Sequence, residues 1–208
     1  MVPMLIGDYA LVEQDTYMSQ EGIVSINGGK RLSYKRFHRS SPDYLMDENK
    51  AILEGEEFLK KHRFDYNNVH LNQIYYGLTS YDDNPVYMLV YEQLYKEYFL
   101  GESYIHIYVN KYGVVGMEAM LLQYDNKAYI QKKKIIPATE ALLRKMNTII
   151  DEHPNEQIVI NSISLGYYFD PDSVNVTSWQ DIESGTAFPT WRIILNNGRT
   201  YHVEAFKN

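Results

Sequence analysis

Apolar and polar residues alternate most cleanly at Tyr104-Ile-His-Ile-Tyr-Val109, with Ile105, Ile107 and Val109 on one face and Tyr104, His106 and Tyr108 on the other. A period of two marks a strand with one buried face. The C-terminal stretch adds the clearest turn signal. Asn197-Gly198 separates two β-rich runs, Trp191–Leu195 and Thr200–Phe206. Asn-Gly accepts the positive φ angles of a type I′ turn, so the runs are expected to pair antiparallel. Pro189 stands just before them, where its missing N–H costs the ladder nothing. Asn27-Gly28 repeats the signal between Gly22–Ile26 and Lys30–Tyr34, a first hairpin whose second arm is basic (Lys30, Arg31, Lys35, Arg36, Arg39).

Two segments keep a helical period instead. Asp47 suits the N-cap of a helix through about Lys61, in which Leu45, Ile52 and Leu59 recur every seven residues beside Phe58. Pro137 marks the start of a second helix, and Pro154 follows its end. Its expected buried stripe is Ala138, Ala141, Leu142, Met146, Ile149 and Ile150. Further strands are expected at Val69–Leu78, at Val114–Tyr124 with a bulge at Gly116, and at Ile158–Phe169. Val86–Leu100 fits two patterns. Tyr87, Tyr91, Leu94, Tyr95 and Tyr98 keep a helical period, but the β-branched and aromatic content and Gly101 favour a bent strand. Ser40–Asp43, Tyr81–Pro85 and Asn110–Gly113 read as turns, and Asp170–Gly185 as a long polar loop.

The order helix, strand with a late glycine, proline and hairpin occurs twice. Ala51 precedes Gly77 by 26 positions, and Ala141 precedes Gly166 by 25. Pro85 with Tyr87 matches Pro189 with Trp191, and His106 matches His202. The expected class is α+β: two similar helix-on-antiparallel-sheet modules preceded by an N-terminal β-hairpin. The corresponding spans are 1–46 for the hairpin segment, 47–131 for the first module and 132–208 for the second.

Composition changes this picture little. At 208 residues with 45% apolar content the chain can bury a core without staples. Twenty Lys and Arg against 27 Asp and Glu give a net charge of −7, which argues against nucleic acid as a partner. Twenty tyrosines suit half-buried strands first and interaction surfaces second. The absence of cysteine excludes disulfides, thiolate nucleophiles and cysteine-ligated metals. No run reaches the ~18 apolar residues of a membrane span, and Met1–Ile6 is too short for a signal peptide.

Candidate chemistry is sparse. The chain has no phosphate loop, serine elbow or His-Glu-x-x-His. His106 and His202 form the best metal pair, yet two ligands without carboxylates make a poor site, and half-exposed sheet positions beside tyrosines explain them better. Asp170-Pro-Asp172 with Asn175 resembles a calcium loop but lacks its glycine and terminal glutamate; it and Tyr81–Asn84 read as turns. Glu56, Glu57 and Glu118 read as solvated faces. Asn175-Val-Thr177 fits a glycosylation sequon. Neither a catalytic set, a cofactor nor a metal is expected. A basic arm near a membrane would gain ~1 kcal/mol per cation on anionic headgroups, but a solvated strand face is the stronger reading.

The helix starting at Pro137, the strand end Leu165-Gly-Tyr-Tyr168, and the hairpin Ala187-x-Pro-x-Trp-Arg-Ile193 … Asn-Gly-x-x-Tyr201-x-Val203-x-Ala205 together resemble the YycI family. These are accessory regulators of the YycFG (WalRK) two-component system of low-GC Gram-positive bacteria. The likeness is sharpest over 135–206 and weaker over 47–124, where Tyr91-Glu-Gln-x-Tyr95 fits the first unit. PepSY-type modules share the tryptophan-to-tyrosine hairpin. The resemblance implies a non-enzymatic α+β domain on the extracytoplasmic face of the bacterial membrane. Its implied partners are a YycH-type sister regulator and the sensor histidine kinase of a system controlling cell-wall metabolism. It also implies a single N-terminal membrane anchor, expected to have been removed from this chain. Tyr104, His106 and Tyr108 are the candidate partner-contact residues. The competing expectation is a PepSY- or cystatin-like module that binds a ligand or inhibits a protease.

Overall fold

The computed structural model describes residues 1–28, 30–37, 46–64, 68–123, 134–168 and 185–206. The class is α+β, mostly sheet, with three helices and an N-terminal strand hairpin among the described residues. The chain gathers into two compact units.

Unit 1 holds Met1–Leu94 and Ser103–Leu122. It opens with a short helix, α1 (Val2–Ile6), followed by β1 (Ala10–Glu13), β2 (Thr16–Met18), β3 (Gly22–Asn27) and β4 (Arg31–Arg36). Then come α2 (Glu48–Lys61), β5 (Val69–Thr79), β6 (Asp82–Tyr95), β7 (Tyr98–Asn110) and β8 (Gly113–Met120). The strands pair antiparallel in the order β1-β2-β3-β4-β8-β7, with β6 on β7 and β5 on β6.

Asp47 caps α2 as its side chain accepts from the Lys50 N–H at 2.9 Å. The helix buries Ala51, Gly55 and Leu59 in a core that includes Leu89, Ile105, Ile107 and Met117. Ile52 and Phe58 pack against that core, and Leu45 of the expected stripe lies outside the described residues. A Cβ on Gly55 would stand 2.5 Å from Leu89 Cδ1, so the glycine is what lets helix and sheet approach. Val2, Leu5 and Ile6 of α1 join the same core, a helix too short for periodicity to reveal.

Unit 2 takes in Tyr95–Glu102, a strip lying inside the 47–131 span, together with the described residues from 134 onward. Its elements are α3 (Ala138–Glu152), β9 (Ile160–Tyr168), β10 (Phe188–Leu195) and β11 (Thr200–Glu204). β9, β10 and β11 form an antiparallel meander, and the start of β7 adds a parallel pairing of Phe99 with Gly166 and Leu100 with Tyr167. α3 lays Ala141 and Ile149 on Ile193, Leu195, Tyr201 and Val203. Trp191 Nε1 donates to the Ile136 carbonyl at 3.0 Å, tying the segment just ahead of α3 to β10.

Four expectations need correction. Val86–Leu100 is extended, but it breaks into two strands at Lys96-Glu97, whose φ angles are +49° and +72°. Neither residue is the glycine or asparagine that signals such a turn. The Tyr81–Pro85 turn sits earlier: β5 ends at Thr79, β6 starts at Asp82, and only Ser80 and Tyr81 turn. At Asn197-Gly198 only the glycine has positive φ (+82°), and Leu195 and Arg199 close a three-residue loop rather than a type I′ turn. The α3 stripe is narrower than expected, since Met146 and Ile150 are 40% and 58% exposed.

Candidate functional site: the aromatic sheet face

Strand alternation dictates the site in unit 1. Ile105, Ile107 and Val109 turn into the α2 core, so Tyr104, His106 and Tyr108 must occupy the opposite face. Cross-strand register sets His106 opposite Glu118, and Glu118 opposite Ser33, giving one polar row across β7, β8 and β4. Arg31 Nη2 pairs with Glu118 Oε2 at 3.1 Å. Tyr81 folds back from the β5–β6 turn, donates its hydroxyl to Glu118 Oε1 at 3.0 Å, and meets Ser33 Oγ at 3.2 Å.

Glycine makes room for that ring. A Cβ on Gly116 would fall 2.0 Å from Tyr81 Cδ1, and Tyr81 stacks on Tyr108 at 4.0 Å and 18°. The expected irregularity is also present, for the β7–β8 register shifts beside Gly116 between Tyr108 and Val109. With Val86 and Val115 these two tyrosines make a second small core beneath the outer face.

On this face Arg31, Glu118 and Lys35 carry charge, and burial acts on the titratable rings beside them. Burial raises the Tyr81 phenol above its ordinary range, and Glu118 raises it further. Tyr108 is pushed up to about 12, by burial first and then by Glu118. Burial lowers His106; Glu118 opposes that and Arg31 adds to it. Both phenols therefore stay protonated donors and the imidazole stays neutral near pH 7. Tyr104 and His106 are half-buried and stacked at 4.4 Å and 27°, while Tyr108 is 6% exposed beneath Tyr81. Their chemistry suits hydrogen-bonded, aromatic contact rather than proton transfer.

Unit 2 carries a similar arrangement. Tyr168 stacks on His202 at 4.2 Å and 14°, and a Cβ on Gly101 would reach 2.4 Å from the Tyr168 ring. The Arg192 guanidinium lies 4.1 Å over the Phe99 ring, and its Nε donates to Ser164 Oγ at 3.3 Å. Burial lowers His202 first, helped by Arg192.

The remaining candidates fare differently. In the basic arm Arg31 is held by Glu118 and Lys35 Nζ by the Ser80 carbonyl at 2.8 Å; Arg39 is outside the described residues. Glu56 pairs with Lys60 along α2 at 3.5 Å. Asp82, 5% exposed, accepts from the Asn84 N–H at 2.8 Å, an Asx turn inside the strand. The Asp170–Asp172 stretch and the Asn175 sequon fall outside the described residues. Among the described residues no three His, Asp or Glu side chains group as metal ligands, and no helix is long and apolar enough to cross a membrane. A cavity of about 600 Å³ in unit 1 is walled by Tyr34, Phe58 and His62, with Arg36, Lys61 and Glu54 around it.

Sequence reasoning missed one polar cluster. His153, the C-cap of α3, is buried, with Nδ1 3.1 Å from Glu156 and Nε2 3.1 Å from the Tyr201 hydroxyl. Tyr201 donates to Glu152 at 2.7 Å, and Arg199 reaches the same carboxylate at 3.3 Å. A histidine just past a helix end and before Pro154 was the available signal.

No curated protein and no solved structure was found to match the chain. A protein-family model described as YycI protein matches residues 13–206. Covering nearly the whole sequence, that match places the chain in the YycI family, the accessory regulators of the YycFG two-component system.

Proposed function

We propose that this chain is a non-enzymatic regulatory protein of the extracytoplasmic face, tethered by an N-terminal anchor. In this reading it modulates the sensor histidine kinase through protein contacts shared with a YycH-type sister regulator. Family membership supports the regulatory role. The observation that carries the mode of action is the half-buried Tyr104–His106 stack, with Glu118 opposite His106 and the stacked Tyr81–Tyr108 pair farther along the same face. Rigid aromatic side chains with few rotamers to lose are what protein interfaces favour.

The same reading treats 47–131 and 132–208 as kindred modules after a hairpin segment, 1–46. Register supports it. Val86, one residue after Pro85, pairs with Gly77, and Thr190, one residue after Pro189, pairs with Gly166. Ala51 and Ala141 are both fully buried under their helices, and His106 and His202 each stack on a tyrosine.

The test is a pull-down with full-length, membrane-inserted protein against the sister regulator and the kinase. Tyr104→Ala with His106→Ala is expected to weaken retention about tenfold while the circular dichroism spectrum is kept. No association of the wild type with either partner sinks the proposal. The cavity beside α2 favours one second reading, binding of a small ligand. A thermal-shift panel of peptides, cell-wall fragments and metals tests it, a concentration-dependent rise in Tm supporting it.

A further inference from the structure

The cavity of about 600 Å³ in unit 1 is lined by two kinds of side chain. The first is a run of rings. Tyr34 and Phe58 lie nearly parallel at 5.9 Å and 20°, and the His62 ring follows Phe58 at 4.4 Å. His62 also hydrogen-bonds the Met4 backbone, which fastens α1 to the end of α2 beside the cavity. Burial and the neighbouring Lys61 lower its imidazole, so it adds an uncharged ring to the wall near pH 7.

The second kind is charge of both signs. Gly113, at φ +87°, has no Cβ, and the place one would take lies 3.6 Å from Glu54 Oε2 and 4.0 Å from Arg36 Nη1. Carboxylate and guanidinium therefore border the same small gap. Arg36 is half-buried and forms no ion pair among the described residues; nor does Lys61, on the same wall. A guanidinium in that position is a two-pronged seat for a carboxylate. A purely anionic ligand would meet Glu21, Glu54 and Glu57, and a purely cationic one Arg36 and Lys61. A ligand carrying both charges answers both sets. The rings call for an aromatic body, and the volume is that of a small-molecule site. We propose that this cavity binds a zwitterionic amino acid or short peptide with an aromatic side chain, its carboxylate on Arg36, its ammonium on Glu54 and its ring against Phe58. The inference rests on the ligand-binding reading of the cavity and is independent of partner contact at the Tyr104–His106 face.

Isothermal titration with phenylalanine, tyrosine and the dipeptide phenylalanyl-phenylalanine tests it. At least one of these is expected to bind, and to lose about tenfold or more in affinity when its amine is acetylated or its carboxylate amidated. Arg36→Gln is expected to weaken the free ligand by a similar factor yet to bind the amidated form as the wild type does. Glu54→Gln is expected to behave likewise toward the acetylated form. Arg144→Gln, on α3, is expected to change nothing. Failure of all three ligands to bind overturns the proposal, as do blocked ligands that bind as tightly as free ones, or full affinity in both glutamine variants. Binding of an uncharged peptide or a metal instead would keep the ligand-binding reading and sink this one; a cavity that takes up none of them sinks both.

Discussion

Helix α2 ends on His62 and helix α3 on His153, and the two imidazoles are used in different ways. His62 stacks on Phe58 of its own helix at 4.4 Å and lines an open cavity. His153 is buried and bonded on both nitrogens. The helices differ to match. α2 sinks Ala51, Gly55 and Leu59 into the sheet, whereas α3 sinks only Ala141 and Ile149 and leaves Leu143, Met146 and Ile150 exposed. Where packing is deep the cap makes one backbone bond, to Met4; where packing is shallow a polar cluster fastens the helix end.

The strongest way to break this contrast is in the cores. Leu59→Ala removes a fully buried side chain from unit 1 and is expected to cost about 2–5 kcal/mol by urea unfolding. The matched exposed change, Leu143→Ala on α3, is expected to stay within about 0.5 kcal/mol. A smaller loss is expected from His153→Ala, about 1–3 kcal/mol, because it strips two hydrogen bonds from a buried ring, although Glu156 keeps Asn197 and Tyr201 keeps Glu152. His62→Ala, lacking such bonds to the sheet, should shift Tm by less. If the two substitutions prove equal, the contrast between the caps fails.

Acid sharpens the comparison of the sheet faces. His106 and His202 both have folded values below the ordinary 6.5, with burial as the leading cause. The unfolded chain then binds more protons as pH falls through that ordinary value, so stability present above it declines until the folded values are passed. His62 shares the sign, with burial leading and Lys61 adding. His106→Gln and His202→Gln should each flatten part of the decline in thermal melts between neutral and acid pH. The smallest effect belongs to Arg31→Ala, expected at about 0–1 kcal/mol and fading with salt, since half of that guanidinium is in water.

Local chemistry was legible wherever it acts within a few residues. Asp47 announced its cap, Pro137 the start of α3, and the alternation at 104–109 both the strand and its two faces. Contacts closed by distant residues were not. Tyr81 gave no hint that it would swing back over Gly116, because the space it fills is made by a strand more than thirty positions away. The Lys96-Glu97 turn hid because strand pairing on both sides holds it, against the preference of its own residues. The buried α3 stripe is narrower than its period suggests because a helical period cannot say how wide a sheet it will meet. The platform of Tyr104 and His106 was visible as a pattern; its neighbours Glu118 and Tyr81 on the same face were not.

The parallel pairing of Phe99 and Leu100 with Gly166 and Tyr167 bears on how this protein can be cut. A piece expressed from Ile135 onward would carry α3 and the β9–β11 meander but forfeit the ring over Gly166 and the aromatic seat of Arg192. Such a piece should refold poorly alone and recover when a synthetic peptide spanning 95–102 is added in trans, the missing strip acting as its template.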